Sequence, residues 1–93
     1  MAITIYFNPA ALTAAAYDEG VRRIAEAGQG HPAGRLYHCT FGPDDKLQVF
    51  DVWEPLEQFE KSGETMLPIA AELGIDLGQP MVEPIHDIIT PRQ

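Results

Sequence analysis

The chain has 93 residues, enough for one compact domain and too few for two independent cores, so a single domain over residues 1–93 is expected. Hydrophobic residues at 45 % and charged residues at 22 % match ordinary globular usage and exclude a disordered or fibrous chain. Six Lys+Arg against fourteen Asp+Glu give a formal net charge of -8, with the cations Arg22, Arg23, Arg35, Lys46, Lys61 and Arg92 scattered; such a surface repels phosphate backbones and excludes a nucleic-acid partner.

"AITIYF" at residues 2–7 is rich in β-branched and aromatic residues and predicts a first strand. No basic region precedes it and no segment approaches the length of a membrane span, so a soluble cytoplasmic protein without a membrane partner is the default expectation. "TAAAYDEGVRRIAEAG" predicts a helix with Thr13 as N-cap and with Tyr17, Val21, Ile24 and Gly28 along one face. Gly20 in mid-helix costs about 1 kcal/mol against alanine, a cost consistent with close backbone packing on the sheet.

"GQGHPAG" is a loop. "RLYHCTF", "GPDD" and "KLQVFDVW" then form a strand, a turn and a strand, hence a β-hairpin. Its one cysteine, Cys39, supplies neither an intrachain disulfide nor a cysteine-based zinc site. Pro55 suits the first position of a helix that carries Leu56 and Phe59 and breaks at Ser62-Gly63. A second helical segment places Met66, Ile69, Ala70 and Leu73 on one face and stops at Gly74. "MVEPIHDII" is the last expected strand, with a loose tail "TPRQ".

The order β-α-β-β-α-β defines an α+β, ferredoxin-like fold with a four-stranded antiparallel sheet in the order 4-1-3-2 and helices on one face. Alternation sorts each strand into two sets. Ile3, Ile5 and Phe7, with Tyr37, Cys39, Phe41, Phe50 and Val52, form the better helix-facing core. The second set mixes Leu36, Leu47, Val49, Trp53 and Val82 with polar residues and is too apolar to face water. Two such sheets facing each other remove that exposure, which predicts a homodimer enclosing a small, partly polar cavity in an α/β barrel.

Strand one ending in "YFNP", a second strand preceded by "GHPAGRLYH", and above all "LQVFDVWEPLEQFEK" resemble the dimeric α/β-barrel superfamily, and within it the antibiotic biosynthesis monooxygenase family. The resemblance implies a barrel-forming dimer. Some members oxidise aromatic substrates without metal or flavin, and others degrade haem. In the haem-degrading members an asparagine ending strand one and a tryptophan ending strand three line the pocket, positions matched here by Asn8 and Trp53. Those members ligate iron through a histidine on the following helix, whereas Leu56 through Leu73 contains none. No cofactor is expected.

Strands one and three are expected to run parallel in the middle of the sheet, which makes neighbours of Asn8 and Trp53 at their C-terminal ends. A two-residue turn at Asp44-Asp45 sets His38 opposite Asp51, Leu36 opposite Trp53 and Thr40 opposite Val49, with Tyr6 on the same face. The candidate catalytic residues are therefore His38, as general base, and Asp51, as its orienting carboxylate. Tyr6, Asn8, Leu36 and Trp53 are the candidate substrate-binding residues. A metal site from His38, Asp51 and His86 is not expected, because strands two and four lie on opposite edges of the sheet, three spacings or about 14 Å apart. Two functions follow: a small-molecule-binding barrel with monooxygenase-like chemistry on an aromatic or planar substrate, or a non-catalytic ligand-binding or structural dimer. A cavity above about 300 Å³ beside Trp53 favours the first and a filled barrel the second.

Overall fold

A computed structural model describes residues 2–91. Its elements are β1 (Ile3–Phe7), α1 (Ala14–Glu26), β2 (Arg35–Phe41), β3 (Gln48–Trp53), α2 (Leu56–Glu72) and β4 (Met81–Pro84). The β-α-β-β-α-β order and the sheet order β2-β3-β1-β4 are those expected from the sequence, and the pairings are all antiparallel.

The antiparallel pairing of β1 with β3 corrects the parallel arrangement expected above. Because a crossover through α1 makes β1 and β2 run the same way, the tight hairpin that reverses β2 into β3 sets β3 against β1. The ladder pairs Ile3 with Trp53, Ile5 with Asp51 and Phe7 with Val49. Directly opposed residues share a face. Asp51, Trp53 and Val49 therefore lie with Ile5 and Phe7 under the helices, while Phe50 and Val52 point to the open side with Tyr6 and Thr4. The two faces of the hairpin are thus exchanged relative to the expectation. Ile5, Phe7, Leu12, Leu47, Val49 and Trp53 form the buried core, with Tyr17, Phe59, Ile75 and Leu77 packed against it.

In the hairpin, Lys46 N–H donates to Pro43 O at 2.9 Å, closing a turn around Asp44-Asp45. The register sets His38 opposite Asp51 and Thr40 opposite Val49. A bulge between Arg35 and Tyr37 leaves Leu36 without a partner and brings Arg35, not Leu36, opposite Trp53. Just before the bulge, Gly34 has φ +88, and a Cβ there would sit 2.5 Å from Gln58 Cβ. Its carbonyl accepts from Glu54 N–H at 2.8 Å, which ties the start of β2 to the end of β3.

Thr13 caps α1 as the sequence indicates, its Oγ accepting from Ala16 N–H at 3.1 Å. Gly20 is buried against α2 rather than the sheet, its would-be Cβ 3.7 Å from Leu73 Cδ1. A break at Ser62-Gly63 is not found, since α2 runs unbroken from Leu56 to Glu72 with Pro55 as N-cap and Pro68 inside it. Ser62 Oγ donates to Phe59 O at 2.9 Å, so the hydroxyl is satisfied within the helix. The apolar stripe of Phe59, Met66, Ile69 and Ala70 outweighs the propensity cost of one glycine. β4 is shorter than expected: its strand runs from Met81 to Pro84, and one further backbone bond, from Ile85 N–H to Ala2 O at 3.0 Å, follows it. Arg92 and Gln93 of the "TPRQ" tail lie outside the described residues.

The open face of the sheet is apolar. Tyr37 is 56 % and Met81 60 % exposed, and Tyr37 packs edge-on against Phe50 with ring centroids 6.4 Å apart. Among the described residues no helix is long and apolar enough to cross a membrane.

Candidate functional site

β3 delivers Asp51 and Trp53 to one face two residues apart, and β2 delivers His38 opposite Asp51. The Asp51 residue is 6 % exposed, so its carboxylate oxygens need donors from the protein. Trp53 supplies one: its indole N–H donates to Asp51 Oδ2 at 3.1 Å. His38 Nδ1 lies 2.5 Å from Oδ1. A carboxylate oxygen only accepts, so in the neutral imidazole Nδ1 carries the proton and the lone pair falls on Nε2.

That lone pair meets Tyr17. The phenolic oxygen is 2.6 Å from His38 Nε2, so Tyr17 O–H donates to it, and the two rings stack with 12° between their planes. Thr40 Oγ1 is also 3.3 Å from Nε2. A continuous chain results: Tyr17 O–H to His38 Nε2, His38 Nδ1–H to Asp51, and Trp53 N–H to the other carboxylate oxygen. Chemically the chain can take a proton at Tyr17 and hold the resulting imidazolium against a buried carboxylate.

The chain opens on a cavity of about 170 Å³ between the sheet and the helices, lined by aromatic and aliphatic side chains with Tyr17, Gln29, Arg35, His38, Asp51 and Ser62 as polar groups. Trp53 and Phe59 meet edge-on at 5.5 Å in its wall. Trp53 is thus both core and lining, at 2 % exposure. The cavity lies within one chain. It is not the space between two sheets expected from the sequence, because the exchanged faces turn His38, Asp51 and Trp53 towards the helices.

Three of the candidate binding residues stand elsewhere. Tyr6 is on the open face, opposite Phe50, and its hydroxyl donates to Gln48 Oε1. Asn8 is exposed just past the end of β1, whereas Trp53 pairs with Ile3 at its start, so antiparallel pairing puts Asn8 and Trp53 at opposite ends. Leu36 is the bulge residue, 60 % exposed. Tyr17 and Arg35 were not singled out as site residues. The signal for Tyr17 was available: a phenol on the core face of a helix needs a partner for its hydroxyl. Arg35 reached the site through the bulge, which the hairpin pattern does not reveal.

Among the described residues, no group of three or more His, Cys, Asp and Glu side chains is placed to hold a metal ion. His86 is exposed beyond β4, across the sheet from His38.

The fold is that of antibiotic biosynthesis monooxygenase-like proteins. SnoaB, a cofactor-independent oxygenase from Streptomyces nogalater, superposes with a TM-score of 0.64 at 16 % identity, over 97 % of this chain and 96 % of that one. A protein from Chloroflexus aurantiacus assigned to the antibiotic biosynthesis monooxygenases gives 0.64 at 15 % identity, over 95 % and 97 %. A similarly assigned protein from Deinococcus radiodurans gives 0.61 at 14 % identity over the whole of both chains. No family model matches the sequence, and no curated protein matches it.

Proposed function

We propose that the chain binds a small, planar, electron-rich phenol in the cavity between sheet and helices and removes its proton, as the opening step of a cofactor-independent oxygenation. The observation that carries this reading is the Tyr17–His38–Asp51 hydrogen-bond chain at the wall of an aromatic-lined cavity. A substrate hydroxyl donating to Tyr17 oxygen passes a proton along the chain: Tyr17 gives its own proton to His38 Nε2 and takes the substrate's. The imidazolium is then paired with Asp51, and the substrate is left as a phenolate. Molecular oxygen is the co-reactant. An open ring carbon ortho or para to the phenolate bonds to one oxygen atom, the C–H and O–O bonds break, and a quinone and water leave. The likeness to SnoaB supports the oxygen chemistry by analogy of fold.

His38 and Asp51 keep the roles expected from the sequence, Trp53 holds Asp51 and walls the cavity, and Tyr17 replaces Tyr6 as the hydroxyl beside the base. The cavity volume sets the size of the ligand. A cavity of about 150 Å³ holds one benzene ring, so about 170 Å³ admits a single substituted ring. The test is oxygen uptake with a panel of dihydroxyarenes. Wild type is expected to consume oxygen, His38→Ala to lose the activity, and Tyr17→Phe to lose at least tenfold, with unfolding curves showing that both variants stay folded.

The competing reading is a structural network that clamps α1 to the sheet. It is favoured by the cavity's being smaller than the roughly 300 Å³ at which ligand pockets commonly begin, and by both ring nitrogens of His38 already having partners. On that reading the same substitutions alter only stability, and no phenol binds.

A homodimer is part of the proposal, with the open sheet face as its interface. Tyr37, Phe41 and Met81 leave apolar area there that a second copy would cover. Sedimentation at micromolar concentration should give twice the 10.3 kDa chain mass, and Tyr37→Asp should return it to one chain; a folded wild-type monomer would contradict the dimer.

A further inference from the structure

Arg35 is the cation in the cavity wall, and the mechanism above makes no use of it. It is half-buried, stands opposite Trp53 at the start of β2, and lines the same cavity as His38. Its side chain makes one hydrogen bond, from Nη2 to Gly30 O at 3.1 Å, and among the described residues it pairs with no carboxylate. A guanidinium carries five N–H donors, so most of its hydrogen-bonding capacity remains unspent. The two other described arginines are spent on carboxylates: Arg22 bonds Glu19 and Glu26, and Arg23 bonds Glu19 and Glu72. In a protein of net charge -8, a half-buried arginine without such a partner beside an apolar cavity is matched to an anion from outside.

The spacing defines that anion. Arg35 is opposite Trp53 and His38 is opposite Asp51, so the two side chains leave the ladder two positions apart, roughly 7 Å. One aromatic ring with an acid group at one end and a hydroxyl at the other spans that length. We infer that the ligand of this cavity is a single-ring aromatic hydroxy acid, its carboxylate bound by Arg35 and its hydroxyl presented to Tyr17 and His38. This rests on the phenol-binding reading above and narrows it to an acid. Of the acidic groups facing the cavity, Asp51 is already engaged by Trp53 and His38, which leaves the ligand's carboxylate to Arg35.

Calorimetric titration with phenol, 4-hydroxybenzoate and the neutral isostere 4-hydroxybenzamide tests it. Wild type is expected to bind the acid at least tenfold more tightly than the amide, against the repulsion of the chain's net negative charge. Arg35→Gln should bring the acid down to the amide's affinity, and Arg35→Lys, which keeps the charge and loses the planar fork, should retain part of the preference. Equal binding of acid and amide by wild type, or a preference that survives in Arg35→Gln, overturns the inference. If phenol and amide bind without a preference for the acid, the phenol-binding reading stands and only this inference falls. If none of the three binds, both fall.

Discussion

Trp53 donates its indole N–H to the carboxylate of Asp51, two residues earlier on the same strand, and the bond explains why a carboxylate interrupts an otherwise apolar run. The strand places both side chains on one face, the indole fixes one oxygen, and the other is left for His38 across the ladder. Asp51→Ala removes the acceptor from two donors at once. A loss of about 3 kcal/mol of stability is expected, because the Trp53 and His38 N–H groups are both left without an acceptor. Trp53→Phe, which keeps the ring in the wall and deletes only the N–H, should cost about 1–3 kcal/mol. Urea unfolding of the two variants checks the ranking; an Asp51→Ala protein as stable as wild type would contradict the assigned bonds.

Two glycines are expected to respond in opposite ways to the same change. At Gly20 an added Cβ would make ordinary contact with Leu73, and alanine is the better helix former, so Gly20→Ala should gain up to about 1 kcal/mol. At Gly34 the left-handed φ of +88 and the 2.5 Å approach to Gln58 both oppose a side chain. Gly34→Ala should cost about 1–2 kcal/mol from backbone conformation alone, before the collision is counted. Thermal melting of the pair gives the two signs directly.

The acid limb of stability is expected to carry a signature of Glu19. Hydrogen bonds first from Arg22 and then from Arg23 hold its carboxyl down at about 2, and Arg23 reaches on to Glu72 of α2 at 3.2 Å. The folded value lies below the unfolded one, so the contribution is complete above the ordinary glutamate range and is lost as pH falls towards about 2. The melting-temperature gap between wild type and Glu19→Gln should therefore shrink between about pH 4.5 and about 2. Salt should also narrow it, since the pairs are solvent-accessible. A gap independent of pH and salt would exclude the ion-pair origin.

The element order, the Thr13 cap and the pairing of His38 with Asp51 were legible in the sequence because each rests on a local signal: alternation, a capping hydroxyl, a turn of fixed length. Which face of the hairpin meets the helices was not. Both sets are apolar, Tyr37, Phe41 and Phe50 on one side and Val49, Trp53 and Leu47 on the other, so hydrophobicity alone could not choose between them. The choice was made by the antiparallel pairing of β1, whose Ile5 and Phe7 carry Asp51 and Val49 to their side. The parallel direction brought Asn8 into the candidate site, and the exchanged hairpin face brought Tyr6. Arg35 was hidden for a different reason: one extra residue at Leu36 shifts the register and replaces a leucine by an arginine opposite Trp53.

The sole tryptophan makes the central proposal open to one direct measurement. Trp53 lines the cavity and bonds Asp51, so its indole N–H resonance is a single, unambiguous reporter of that space. In a phenol titration followed by NMR, the Trp53 indole and the His38 ring signals should shift together and saturate, while Tyr37 and Phe41 on the open sheet face stay unmoved. Saturable shifts confined to the open face, or an indole signal that does not respond, would contradict a ligand site between the sheet and the helices.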